Sequence, residues 1–469
     1  MTYHSAIPVP ETQIGIALEA TRGTPEAPTY WIPVMGPKYK PDLKLLPDEG
    51  LRGSMVTLYD EIPGLRFDSH GWDQYPYLDS LPILLRALLG SKDTRTNPVS
   101  TDELVAEAKV GDKKVLVLTD LPAATVFVID EGTPATEETV VSLKSTKIKA
   151  GEYEIECAAL KYTHVVKAPV TVPATELIKE AKATDTTIEV ESAASIKEGV
   201  SYVIVGAANR YSDTRLVTKV TGKILTLAYP LSATHATKAP VTVLTSHAFS
   251  LLNNAPEEGN QPPSCTLTDF GGETNWRQLA AAQLDSITLN GTAETLPKLA
   301  ANWFADAAIT PSPPSASFSA VEAPPGWTIQ ASVGGVQIGY LVSWEFSLKR
   351  NVKNVPAITG TQAYYQHFAG AIDATAKVTV LEDPEAIWLT AYENGELESI
   401  DLTLSDVESG YAVNLHSSKA KFVTGDLDRS KEWVEVPLEV QLIPSAADAL
   451  AGGVSPIVAT VANGTPTEY

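Results

Sequence analysis

Two stretches of this chain are copies of one another, and a chain that carries a tandem copy has to fold it twice, as two small units that each close on themselves. Both lie between Asp102 and Thr245. The first opens Glu103-Leu-Val-Ala-Glu-Ala-Lys109 and closes Thr163-His-Val-Val-Lys-Ala-Pro-Val-Thr-Val172. The second opens Glu176-Leu-Ile-Lys-Glu-Ala-Lys182 and closes Thr234-His-Ala-Thr-Lys-Ala-Pro-Val-Thr-Val243. The openings at 103 and 176 are 73 residues apart and the closing prolines at 169 and 240 are 71 apart, so the match holds at both ends with two residues' difference in length. The sequences before and after the pair then read as two pieces of a single domain that the pair interrupts.

Short β-branched runs such as Val115-Leu-Val-Leu118 and Thr125-Val-Phe-Val-Ile129 alternate with Gly, Asp and Ser in each copy, the pattern of half-buried strands. At roughly 70 residues, each unit is near the lower limit for folding alone. The second copy resembles a small β-barrel module of phage virion and bacterial surface proteins, through Thr186-Thr-Ile-Glu-Val-Glu191, Ile224-Leu-Thr-Leu227, Pro230-Leu231, His235 and Ala239-Pro-Val241. His164 and His235 occupy equivalent places. A paired functional histidine and a structural one retained by duplication are both open; the structural reading is preferred, and the modules are assigned no chemistry.

The chain has 469 residues, room for two to four domains, and its 44% hydrophobic and 20% charged content is that of an ordinary globular protein. Thirty-three prolines and 30 glycines among abundant Thr, Val and Ser predict many short strands joined by turns, hence a mainly β fold. The two cysteines, Cys157 and Cys265, fall in different candidate domains without metal-ligand spacing, which excludes a disulfide framework. Met1–Pro8 lacks a basic stretch leading into an apolar core, and 18 consecutive apolar residues occur nowhere. The expectation is a protein made and kept in the cytoplasm unless it leaves inside a larger assembly. A net charge of −22 argues against gripping the nucleic-acid backbone. Residues 102–245 hold 19 acids and 16 bases of the chain's 57 and 35, so the interrupted domain carries −19 of that charge.

Gln13-Ile-Gly-Ile-Ala-Leu-Glu-Ala-Thr-Arg-Gly-Thr-Pro-Glu-Ala-Pro28 leads into Trp31-Ile-Pro-Val34 as strand, turn and strand. This resembles the N-terminal signature of the tail tube proteins of long, flexible-tailed bacteriophages, with Tyr30-Trp31 in place of the usual single aromatic. A polar run follows from Asp48 to Gln74. Leu78, Leu81, Leu84, Leu85 and Leu88 then share one face of a short helix, with Asp79 or Ser80 as cap, Pro82 in the first turn and Gly90 at the C-cap. The same family is resembled by His247-Ala-Phe-Ser-Leu251, Gln261-Pro-Pro-Ser-Cys-Thr-Leu-Thr-Asp269 and Asp285-Ser-Ile-Thr-Leu289. Leu296–Phe304 fits a helix or a strand, and family order favours the strand. Leu341–Lys349 and Val434–Leu442 alternate as strands, the latter with Pro437 marking an edge or a bulge. The Pro-Ser run from Pro311 to Pro325 and the Ala, Gly, Ser and Pro-rich residues 445–469 read as arms that become ordered only against a neighbour.

The expected domains are therefore 1–101 with 246–444 as one discontinuous tail-tube β-sandwich or barrel with one short helix, modules at 102–173 and 174–245, and a C-terminal arm at 445–469. No P-loop, dinucleotide fingerprint, HExxH or GxSxG occurs, and the seven histidines are dispersed without metal spacing. Asp426-Leu-Asp-Arg-Ser-Lys-Glu432 lacks the glycine and the bidentate glutamate of a calcium loop and reads as a charged hairpin turn. No enzyme, cofactor or metal is expected.

The resemblance implies a structural virion protein, assembled in the host bacterial cytoplasm and residing in the virion tail. Such subunits form hexameric rings that stack into a hollow tube around the tape measure protein. The tube meets tail terminator and tail tip proteins and passes viral DNA without binding it specifically. The alternative is a surface-binding protein whose β modules recognise glycan or host wall; no membrane is implied by either. From Val378 to Ser418 the chain has nine acids and no Lys or Arg. A wall of carboxylates would repel DNA phosphates and keep them sliding over a range of about 8 Å at physiological salt. Glu393, Glu396, Glu398 and Asp401 are the candidate acids lining the bore.

Overall fold

The computed structural model describes residues 12–469 apart from 51, 54, 97–100, 119–120, 122–125, 131–135, 137, 150–151, 172–174, 192, 194–195, 197, 199–200, 205–212, 229, 232, 256–258, 272–275, 311–315, 317, 319–320, 383–391, 407–408, 451 and 466–467. The chain begins with β1 (Thr12–Leu18) and β2 (Tyr30–Ile32), then β3 (Met35–Asp48) and β4 (Asp60–Gln74), a long antiparallel hairpin. Helix α1 (Leu81–Leu89) starts with Pro82 in its first turn, where the missing N–H costs nothing, and stops at Gly90. That glycine has φ 88° and donates its N–H to the Arg86 carbonyl, a left-handed cap open to glycine. Ser80 is the N-cap but makes no side-chain cap bond. The helix buries all but Arg86 against β-structure, which is why so short a helix persists. A short strand, β5 (Thr94–Thr96), follows.

The duplicated region forms two sheets with one topology. The first contains β6 (Thr101–Glu103), β7 (Lys114–Val117), β8 (Val126–Ile129), β9 (Glu138–Lys149), β10 (Glu152–Cys157) and β11 (Pro169–Thr171), in the order β6-β11-β8-β9-β10-β7. The second contains β12 (Thr175–Glu176), β13 (Thr187–Glu189), β14 (Ser201–Ile204), β15 (Asp213–Thr221), β16 (Ile224–Leu227) and β17 (Pro240–Val243), in the order β12-β17-β14-β15-β16-β13. A further bridge, Leu104 to Val117 in the first and Leu177 to Val190 in the second, joins the two outer strands and closes each sheet on itself. Each module has its own apolar core, centred on Phe127, Ile129 and Ile155 in one and on Tyr202, Ile204 and Val217 in the other.

The chain then continues with β18 (Thr245–Ser250), β19 (Cys265–Gly271), β20 (Trp276–Thr292) and β21 (Lys298–Ala305). Next come β22 (Gln330–Val333), β23 (Val336–Ile338), β24 (Leu341–Lys349), β25 (Lys353–Val355), β26 (Gln366–Phe368) and β27 (Asp373–Leu381). Last are β28 (Glu398–Ser405), β29 (Ala412–Phe422), β30 (Glu435–Leu442) and β31 (Val458–Asn463). One antiparallel run goes β3-β4-β21-β20-β24-β27-β30 and reaches the C-terminal half of β29. A second goes β5-β18-β31 to the N-terminal half of β29, then β28-β22-β23. Strand β29 belongs to both, and one apolar core that includes α1, Trp303, Trp344, Phe346 and Val461 gathers the interrupted domain. The ambiguous Leu296–Phe304 stretch is strand: Leu299, Ala301, Trp303 and Ala305 are buried on one face of β21.

The C-terminal residues depart from expectation. Instead of an arm awaiting a neighbour, β31 lies between β18 and β29, and Tyr469 is buried. Its hydroxyl donates to the Asp79 carbonyl at 2.7 Å, and its ring stacks on Tyr30 and meets His247 edge-on. Within Val458-Ala-Thr-Val-Ala-Asn463 the inward positions are Ala459, Val461 and Asn463, so small side chains conceal a period of two. Of the other expected arm, 311–315, 317 and 319–320 lie outside the described residues.

The equivalent histidines are structural, and each is fully buried. His164 Nδ1 is 2.8 Å from Asp130 and Nε2 is 3.5 Å from Glu138. His235 Nε2 is 2.8 Å from Asp213, which also pairs with Arg215 at 2.9 Å. Glu138 and Asp213 begin equivalent strands, but only the second module has an arginine beside its carboxylate; Val140 stands in the equivalent place. His164→Ala should therefore leave two buried carboxylates without a basic partner and cost about 3–5 kcal/mol. His235→Ala leaves Arg215 in place and should cost roughly 1–2 kcal/mol. Hydrogen exchange resolved by module in the full chain checks this; equal losses would contradict it.

Candidate functional site

The described residues contain no cluster of three or more metal-ligating side chains, and no helix among them is long and apolar enough to cross a membrane. What the fold offers instead are two ends of one sheet and the polar face between them.

At one end the β3–β4 hairpin leaves the sheet. Strand β4 pairs with β21 only from Asp68 to Gln74, so Asp60–Phe67 and the residues opposite, 42–48, continue as a two-stranded ribbon. Eight residues of strand reach about 25 Å. The two chains approach closely because residue 64 is glycine: a β-carbon there would lie 2.7 Å from the Lys44 carbonyl oxygen. The tip is built by local contacts, with Tyr59 donating its N–H to the Asp48 carbonyl and Arg52 both paired with Asp48 and stacked over the Tyr59 ring. Its base is braced by the segment around β25 and β26. There Arg66 donates its N–H to the Gln362 carbonyl at 2.8 Å, and Phe67 meets the rings of Tyr364 and Phe304. Leu43, Leu45, Leu46, Met55, Val56, Leu58 and Ile62 are nonetheless exposed on the ribbon, and so is Ile358 beside it. An isolated two-stranded ribbon with an apolar surface is marginal in water.

The opposite end of the same sheet is formed by the turns after β20, β27 and β29. Exposed apolar groups recur there, including Leu296, Leu397, Val423, Leu427 and Trp433. The charged stretch at 426–432 is a turn, closed by the Asp428–Glu435 bridge. Ser430 donates its N–H to Asp428, which holds that carboxyl below its usual range, and Lys431 and Trp433 both donate to Glu435.

Three of the four candidate acids lie at this end. Glu393 and Glu396 are exposed in the turn before β28, and Glu398 begins that strand against Gly334. Among the described residues none of the three has a basic partner. Asp401 stands apart, on the polar face of β28, 2.8 Å from His416 Nδ1 and within reach of Asn414 and Ser332. Between the two ends, Ser286, Thr288, Ser343, Ser347, Thr375 and Thr379 lie on the sheet face opposite the core residues Ile287, Trp344, Phe346 and Val378. On that face Lys377 sits between Glu345 at 3.8 Å and Glu439 at 3.7 Å, so its charge is more than offset.

Reading the residues from Asp48 to Gln74 as a polar run missed the ribbon. The usable signal was the turn residues Gly50 and Gly53 between runs that hold Leu43, Leu45 and Ile62 on alternating positions.

A family model described as phage tail tube protein matches residues 10–442. No curated protein matches the chain.

Because the two strands of the ribbon approach closely at Gly64, Gly64→Ala should disturb the ribbon alone. The expected result is faster hydrogen exchange in Leu43–Leu46 and Ile62–Phe67 with β20 and β24 unchanged; slowed or unaltered exchange in the ribbon would refute its dependence on that close approach.

Proposed function

The chain belongs to the phage tail tube protein family, and from that premise we propose that it is the repeating subunit of a hollow tail tube of stacked hexameric rings through which viral DNA passes. The observation that carries this reading is the pairing of unlike ends. An apolar ribbon projects from one end of the sheet, and an apolar rim of Leu397, Val423, Leu427 and Trp433 lies at the other. Contacts between unlike surfaces close into rings where the rotation between copies closes, and otherwise run on as open-ended stacks. With the ribbon of one subunit on the rim of the next, each copy offers a fresh ribbon, as a tube of indefinite length requires.

The bore is then the polar Ser and Thr face of the sheet, with Glu393, Glu396 and Glu398 at its rim and Asp401 farther along the polar face of β28. Hydroxyls predominate on that face and its Lys377 is outnumbered by Glu345 and Glu439, so apart from the exposed Lys298 and Lys349 it offers phosphates little to grip, and the acids repel them at each ring junction. The tape measure protein would occupy the same bore before DNA, with terminator and tip proteins at the tube's two ends and assembly in the host cytoplasm. Recognition of glycan or host wall by the modules is the competing function. It leaves the two unlike ends of the interrupted domain unexplained.

Electron microscopy of the purified protein should show tubes or rings with six-fold end views; a stable monomer at all concentrations would refute the reading. Charge reversal tests the bore: Glu393→Lys, Glu396→Lys and Glu398→Lys together should give tubes that assemble but retain added DNA, and absence of DNA retention would remove these acids from the bore.

A further inference from the structure

The duplication supplies its own control, since the two modules share topology and register but differ in surface. In the second module the outer face of β14 and β15 is seated on the interrupted domain. Val203 alternates with Tyr202 and Ile204, which enter the module's core, so its side chain points outward. It is nevertheless 0% exposed, and its cross-strand partner Thr214 is 2% exposed. The cover is Tyr411 and Gly464: a β-carbon on Gly464 would lie 3.2 Å from Val203 Cγ1 and 2.5 Å from the Tyr411 hydroxyl. The Tyr411 phenol, its pKa raised by burial, lies beside Thr214 and the Gly464 backbone.

The first module has the same pair in the same register, Val128 opposite Thr139. Further along the outward face of β9 stand Val141 and Leu143, 41% and 62% exposed, while the alternating Val140 and Ser142 are buried. The equivalent positions in the second module are Leu216, half-buried, and Thr218. Elsewhere the first module exposes Tyr162, Val165 and Val166 where the second has Ala233, Ala236 and Thr237. The chain has one Tyr411–Gly464 seat, and the second module fills it.

We propose that the outward face of β9 in the first module, at Val141 and Leu143, docks on a second copy of this chain. In its twin the Val203–Thr214 part of the corresponding face is packed on a surface of this chain, and Val141 and Leu143 extend that face where the twin has the half-buried Leu216 and the exposed Thr218. Val141 and Leu143 are aliphatic and branched, suited to packing against protein and lacking the flat aromatic surface on which a sugar ring stacks. The inference rests on the tube reading and adds to it: the inserted modules tie neighbouring subunits together rather than only decorating them.

Probes on Leu143→Cys and Thr218→Cys test it in the full chain. The native thiols do not interfere, because both are buried, and burial pushes Cys157 up to about 11 and Cys265 higher still. On assembly the probe at 143 should become several-fold less accessible to a soluble quencher while the probe at 218 stays accessible. Leu143→Glu, an exposed position that leaves the module core intact, should raise the concentration needed for assembly about tenfold or more, as expected for losing one buried leucine contact. Tubes that form with position 143 as accessible as 218 would overturn this proposal and leave the tube reading standing. Normal assembly of Leu143→Glu with lost attachment to host cells or glycan would overturn it in favour of an external ligand. A chain that never self-associates would overturn both.

Discussion

The interrupted domain depends on one joint, where β5 finds β18 across the whole insertion. Thr94–Arg95–Thr96 pairs with Ser246–His247–Ala248, and everything between 96 and 246 is looped out. Side chains fix the joint from within: Asp93 and His247 have fully buried side chains and are hydrogen-bonded, and Asp93 also accepts the Tyr469 N–H at 3.2 Å. Closing so long a loop from a disordered chain would cost several RT in entropy. The modules remove most of that cost, because each pairs its own first and last strands, β6 with β11 and β12 with β17, and so returns the chain beside the point where it left. Each unit thus solves its closure problem locally, which supports reading the pair as an insertion.

From that joint the rest of the architecture follows. With β18 in place, β31 can lie between it and β29, and the shared strand β29 couples the sheet that bears the modules to the sheet that bears the ribbon. The modules thus attach to one run of strands and the polar Ser and Thr face belongs to the other. That separation is what a tube subunit needs if two 70-residue units are to stay clear of its bore, and it supports placing the proposed bore on the Ser and Thr face of the ribbon-bearing sheet.

Much of this was legible in the sequence for a physical reason. The duplication announces itself because two cores of the same shape need the same apolar spacing, and α1 because its five leucines have a helical period with Pro82 and Gly90 as punctuation. Strands with large inward residues, such as β24 with Trp344, Phe346 and Leu348, are equally plain. The elements that were hidden have weak local signals. Strand β31 is held by small residues and by Asn463, which donates to the Leu78 carbonyl, 385 residues away in sequence. The ribbon exposes the leucines that in a buried strand would have marked one face. Of the acids, their proximity in sequence brought Glu393, Glu396 and Glu398 to one end, but nothing local foretold that Asp401 would be taken up by His416, fifteen residues on.

The central claim is that the split domain is complete without what interrupts it. It is tested most directly by hydrogen exchange on a chain in which residues 97–244 are replaced by a short linker. The account predicts that β18, β31 and α1 keep the protection they have in the full chain, with exposure confined to the vacated seat at Tyr411 and Gly464. Loss of protection throughout β18 and β31 would show that the modules are part of the fold rather than guests in it.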